Sequence, residues 1–203
     1  MRFYKKFIFF SVVGLYVSSA LAFYLPTAMV DASSLHKFSG YATYQICFTP
    51  TQHCTPLLVD AINQTKNTIQ VQAFSFTSVP LARALIAAHK RGVKVQVILD
   101  KSQFQDERYS SSKFLSQAGI PVYIDYQPTL AHNKVMILDG ITVATGSFNF
   151  TKAAEKYNAE NLLIITDKGL AKAYAKNWQD RLVVSKSLAS YHEQPILGKA
   201  PKI

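Results

Sequence analysis

From Tyr44 to Leu182 the chain alternates short runs rich in β-branched and aromatic residues with longer amphipathic runs, and this alternation limits the fold more than any other feature. YQICF (44–48) reads as a strand. TPLLVDAINQTK (55–66) reads as a helix with Thr55 as N-cap and Pro56 in its first turn. TIQVQAFSF (68–76) is a strand, PLARALIAAHKRG (80–92) a helix opened by Pro80 and stopped by Gly92, and VKVQVIL (93–99) a strand. A helix follows in SSSKFLSQAG (110–119), then short strands PVYI (121–124), KVMIL (134–138) and ITVAT (141–145). The last two are joined by Asp139-Gly140, the strongest short hairpin signal. NLLIIT (161–166) adds a strand and GLAKAYAKNWQDRL (169–182) a final helix with Trp178 as a core residue. These alternating elements, with at least one antiparallel pair, predict an α/β fold: a mixed β-sheet flanked by helices.

The N-terminus has a different composition. Arg2, Lys5 and Lys6 precede an uncharged apolar run (7–23), and Ala20-Leu21-Ala22 supplies a small-x-small cleavage pattern. Residues 1–22 are therefore expected to be a signal peptide. The alternative is an uncleaved membrane anchor, since the uncharged stretch reaches residue 30 and about 20 residues span a bilayer. Either way the protein is expected to be exported: periplasmic, secreted or membrane-anchored. Residues 23–40 read as a tether, 41–182 as the functional domain and 183–203 as a tail without periodicity.

Hydrophobic residues make up 49% of the 203 and charged ones 17%, which excludes a disordered chain. The net charge of +10 favours polyanionic partners. Two cysteines are too few for a cystine framework or a four-thiolate zinc site. In an oxidising compartment Cys47 and Cys54 are expected to pair, closing a small loop for about 2–3 kcal/mol. A metal site from Cys47, His53 and Cys54 is the alternative, and it lacks a fourth ligand.

Chemistry concentrates in residues 131–151, AHNKVMILDGITVATGSFNFT. His132-x-Lys134 is followed after four residues by Asp139 and after six more by Gly146-Ser147-x-Asn149, with Glu160 downstream. At a strand entrance, two-residue spacing places His132 and Lys134 on one sheet face. Imidazole can attack phosphorus and move protons near neutral pH, while a lysine ammonium, a serine hydroxyl and an asparagine amide can hold phosphate oxygens. Gly146 permits a tight turn, and Asp139 belongs to the hairpin. Six specified positions would coincide by chance in about one sequence in 10⁶. His89-Lys90-Arg91 is read as complementing a helix C-terminus rather than as a binding site. No GxGxxG, Walker A, HExxH or EF-hand pattern occurs.

These residues resemble the HKD signature of the phospholipase D superfamily, and the similarity runs from about Cys47 to Arg181 through VQAFSFTS, KRGVKVQVILD, AGIPVYID and GSFNFTKAAEKYNAEN. The pattern is most similar to small single-motif bacterial members: the endonuclease Nuc type and the small secreted phospholipases D, which share the CFTP…C opening. The resemblance implies a two-step hydrolysis without metal or cofactor. His132 would form a phosphohistidine, Lys134 and Asn149 would bind phosphate oxygens with support from Ser147, and Glu160 would orient the imidazole. Asp139 and Gly146 would be structural. Two histidines are needed and the chain has one motif, so the resemblance implies a homodimer with the active site at its interface. Two substrates remain open. The basic charge favours a nonspecific endonuclease acting on the phosphate backbone of DNA or RNA, and the exported N-terminus favours a phospholipase D releasing phosphatidic acid from phosphatidylcholine-type headgroups.

Overall fold

The computed structural model describes residues 34–105 and 111–189. The expected signal or anchor segment (1–22), the start of the tether and the tail beyond 189 lie outside the described residues. No helix among the described residues is long and apolar enough to cross a membrane. The chain divides at His36, and the unit that begins at Lys37 carries every element below.

In chain order the elements are β1 (Thr43–Thr49), α1 (Cys54–Gln64), β2 (Thr68–Ala73), α2 (Val79–Lys90), β3 (Lys94–Asp100), α3 (Ser102–Gln105), α4 (Ser112–Gln117), β4 (Val122–Asp125), β5 (Lys134–Leu138), β6 (Thr142–Gly146), α5 (Lys152–Lys156), β7 (Glu160–Thr166), α6 (Lys168–Val184) and β8 (Lys186–Ser187). They build one mixed sheet in the order β1-β7-β6-β5-β2-β3-β4-β8. The pairs β2–β3 and β3–β4 are parallel, and all the others are antiparallel. The expected α/β fold with helices on a mixed sheet is thus observed.

The period-2 alternation of the strands decides which residues reach each face. On one face Ile69, Val71, Val97, Leu99 and Met136 meet Leu58 and Ile62 of α1, Leu81 and Leu85 of α2, and Leu115 of α4. On the other face Ile98, Val135, Ile137 and Val143 meet Ala171 and Trp178 of α6. Trp178 is the core residue expected, and its indole N–H donates to the Val71 carbonyl at 2.9 Å, so its one polar atom is buried with a partner. Arg181 closes the layer with a two-pronged bond to buried Asp125 at 2.6 and 2.7 Å. From the His89-Lys90-Arg91 cluster, the Arg91 guanidinium donates to the Ile62 and Asn63 carbonyls at the end of α1. That contact agrees with the structural reading of the cluster.

Several boundaries differ from expectation for physical reasons. Helix α1 starts at Cys54 with His53 as N-cap, two residues ahead of the expected N-cap Thr55, and the Cys47–Cys54 disulfide anchors the helix start to β1. The disulfide also removes both thiolates from the alternative metal site. The Thr55 amide is satisfied by Glu155 Oε2 at 2.8 Å rather than by a local cap. Strand β2 ends at Ala73, short of the expected residue 76, because the chain turns there to reach the Phe76–Phe150 bridge. Helix α4 starts at Ser112, and Ser110 lies outside the described residues. The tail is not structureless at its start: α6 runs to Val184 and Lys186–Ser187 pair with β4. A two-residue strand is too short to show a period. The helix α5 was also not expected, and it is only five residues long.

Candidate active site

The carboxyl ends of the parallel strands β2, β3 and β4 lie at one edge of the sheet, and open α/β sheets place ligands at such an edge. The antiparallel partners bring the start of β5, the end of β6, the start of β7 and the end of β1 to the same edge: Ala73 pairs with Lys134, Gly146 with Leu162, and Thr49 with Glu160. Every expected site residue except Asp139 is therefore gathered there by strand register.

The structure corrects the expected placement of His132. Strand β5 begins at Lys134, so His132 sits in the preceding loop and is exposed, while Lys134 is 7% exposed on the sheet. The two groups meet by side-chain reach instead: Lys134 Nζ lies 3.1 Å from His132 Nδ1 and donates to the His132 carbonyl oxygen at 2.8 Å. The loop is held by groups that the motif does not include. Buried Asp100, at the end of β3, accepts from the Ala131 amide at 2.6 Å and the Ser102 amide at 2.9 Å. Lys101 donates to the Pro128 carbonyl at 2.9 Å, and the Phe74 amide donates to the Asn133 carbonyl at 2.8 Å.

The Gly146-Ser147-x-Asn149 segment wraps one carbonyl. The Ser147 and Phe148 amides both donate to Asn161 O, at 3.1 and 3.2 Å, and the Asn161 amide returns a bond to Ser147 Oγ at 3.0 Å. Gly146 has φ +152°, and a Cβ on it would collide with that same carbonyl oxygen. Only glycine fits there. Phe148 and Phe150 are fully buried on either side of Asn149, and the Phe150 carbonyl accepts from the Thr77 and Ser78 amides at 2.9 Å each. The Asn149 side chain is thereby held between two aromatic anchors, with its Oδ1 buried and without a hydrogen-bond partner. Native structures leave few such atoms, and each costs about 1–3 kcal/mol, so they concentrate where chemistry needs them.

Burial pushes the Lys134 ammonium below the ordinary lysine range, and the nearby Glu160 carboxylate counters the shift. Glu160 itself is held by Asn158 Nδ2 at 3.0 Å, and the Thr49 hydroxyl ties the Asn158 carbonyl at 2.9 Å. No hydrogen bond joins Glu160 to His132 here, so the expected orienting role is not visible as a direct contact. Phe74, a residue of the 68–76 run that the motif does not include, places its ring 4.5 Å from the His132 imidazole and 5.1 Å from Lys134 Nζ.

Asp139 lies at the opposite end of β5. With φ +51° followed by Gly140 at +65°, it forms the expected hairpin turn. Its carboxylate also accepts from the Lys66, Asn67 and Thr68 amides at 2.9, 2.6 and 3.0 Å. Partial burial disfavours its charge, but these bonds outweigh burial and hold the carboxyl below its ordinary value. Asp139 organises the α1–β2 connection. Among the described residues no three His, Cys, Asp or Glu side chains gather into a ligand set.

Comparison with known proteins places this geometry. A family model described as the PLD-like domain of cardiolipin synthase matches residues 58–182. The phospholipase D of Rickettsia prowazekii is 38% identical over 192 residues, which cover 90% of this chain and 93% of that protein. The mitochondrial cardiolipin hydrolase of Xenopus laevis is 35% identical over 137 residues, covering 66% of this chain and 64% of that one. Among solved structures, the phospholipase D family member Nuc from Salmonella typhimurium superposes with TM-score 0.69 at 37% identity, covering 72% of this chain and 97% of that one.

Proposed function

The chain belongs to the phospholipase D superfamily and is a phosphodiesterase of that family, and from this premise we propose that it hydrolyses phospholipids through a covalent intermediate on His132. The observation that carries the lipid reading is the near full-length likeness to a phospholipase D, 90% of this chain against 93% of the relative. The charge had put nucleic acid first. Basic charge also draws a protein to anionic membrane, so it separates the two substrates poorly.

In the first step an imidazole nitrogen of His132 bonds to phosphorus as the bond from phosphorus to the headgroup oxygen breaks. The departing oxygen takes a proton from His132 of a second copy. In the second step water attacks phosphorus, its proton returns to that second imidazole, and the N–P bond breaks to release phosphatidic acid. Lys134, Ser147 and Asn149 hold the non-bridging oxygens, where negative charge builds up in both transition states. Glu160 steadies the cationic pair that Lys134 and His132 form once the imidazole is phosphorylated.

The second copy has a surface to sit on. Helix α6 covers the middle of the sheet and leaves β1 bare, so Tyr44, Ile46 and Phe48 stand 71%, 48% and 48% exposed. This stripe runs toward Thr49, the partner of Glu160 at the site-bearing edge. An exposed apolar stripe of this kind marks an interaction face, and a two-fold contact through it would bring two sites together. The basic N-terminal segment and the disulfide support a place outside the cytoplasm.

Likeness to Nuc over 97% of that chain supports an endonuclease as the second reading. The test presents phosphatidylcholine vesicles, plasmid DNA and RNA in parallel to the purified protein, with His132→Ala as control. Headgroup release that His132→Ala lacks supports the lipid reading. Cleavage of nucleic acid alone would replace it with the second.

A further inference from the structure

Phe74 follows directly on β2, where the parallel strands end, and its amide bond to Asn133 fixes its backbone against the loop that carries His132. Its half-buried ring is tilted 51° to the imidazole at 4.5 Å between centroids, and the Lys134 ammonium stands over it at 5.1 Å. The Lys134 ammonium and the His132 Nδ1 are themselves 3.1 Å apart. Three groups therefore close a triangle in which one is uncharged and unable to move protons. We propose that Phe74 is a positioning residue of the reaction: its ring fixes the His132 imidazole and the Lys134 ammonium relative to each other and supports positive charge on both.

Two physical effects lead there. First, His132 lies on a loop and is exposed; Lys134 holds its ring at one atom, Nδ1, and the Phe74 face bounds the ring on one side. Orientation of the attacking group is worth large factors in rate. Second, an aromatic face attracts cations. Lys134 is buried and partly desolvated, and the facing titratable groups are His132 and Glu160. The imidazole is neutral before attack and cationic once bonded to phosphorus, so attraction to the ring grows along the reaction coordinate. Stabilisation that appears only in the transition state raises kcat rather than lowering KM.

The inference rests on His132 as nucleophile, and the test separates the two claims. Hydrolysis of bis(p-nitrophenyl) phosphate is followed against pH for the wild type, His132→Ala, Phe74→Leu, Phe74→Met and Phe74→Tyr. Leu and Met fill most of the volume without the aromatic face. Both are expected to lower kcat by roughly tenfold with little change in KM. Their alkaline limb should move to lower pH, because Lys134 loses its proton sooner without the ring. Phe74→Tyr keeps the face and should restore both rate and limb. A melting temperature for each variant separates folding from function. Unchanged kcat and limb in Leu and Met, or a limb that moves to higher pH, would overturn the role of Phe74. So would a loss that Tyr does not restore. Activity retained by His132→Ala would instead remove the nucleophile reading beneath it.

Discussion

Ser147 and Asn161 bond to each other in both directions: the Ser147 amide donates to the Asn161 carbonyl at 3.1 Å, and the Asn161 amide donates to Ser147 Oγ at 3.0 Å. The hydroxyl is thus fixed by what it accepts, and its proton remains free to be donated. Ser147→Ala should lower turnover roughly 10- to 100-fold while costing at most about 1 kcal/mol of stability, since the residue is exposed. Steady-state kinetics with a parallel urea titration would check it, and a stability loss as large as the rate loss would refute it.

Gly146 makes that reciprocal bond possible. Gly146→Ala pushes a methyl into the Asn161 carbonyl and is expected to destabilise the fold by about 2–4 kcal/mol and to displace both Ser147 and Asn149. A denaturation midpoint equal to that of the wild type would contradict this account of the glycine.

Asp139 predicts an acid-linked loss of stability. Its folded carboxyl titrates below its ordinary value, because three backbone amides donate to the charged form. Its contribution is then complete above the unfolded value of about 3.9, and it fades as pH falls through the lower folded one. Asp139→Asn should be clearly less stable than wild type at pH 7, and the gap should narrow as pH drops below about 4. A gap that stays constant across that range would show that charge has no part in the staple.

The exposed stripe on β1 predicts assembly. Ile46→Glu places a carboxylate on a half-exposed position and should leave the subunit folded. It should yield a monomer by light scattering with little activity. An Ile46→Glu protein that is active as a monomer would remove the shared-site model.

The sequence made the fold legible wherever an element was long enough to show its period. The strand and helix runs of β1 to β3, α1, α2 and α6 agree with the structure to within three residues at each end. The short strands β4 to β6 are legible from their β-branched runs and the Asp139-Gly140 turn, but the short helices Ser102–Gln105 and Lys152–Lys156 are not, because four or five residues carry no helical period. The motif residues were legible because their types and spacing are chemically specific. Asp100 and Asp125 were not singled out, although each closes an apolar strand run with an acid, and that is the signal that could have found them. Phe74 was hidden for a different reason. Its role depends on a loop from another part of the chain folding over it, and local sequence holds no trace of that contact.

The central claim is a covalent bond between His132 and phosphorus. The protein would be mixed with phosphatidylcholine vesicles, in the presence of EDTA, and quenched in alkali on the millisecond scale, where phosphohistidine survives. Peptide mass spectrometry should find a phosphatidyl adduct on the peptide holding His132, rising and then decaying within one turnover, and none in His132→Ala. An adduct on another residue, or full turnover by His132→Ala, would contradict the account.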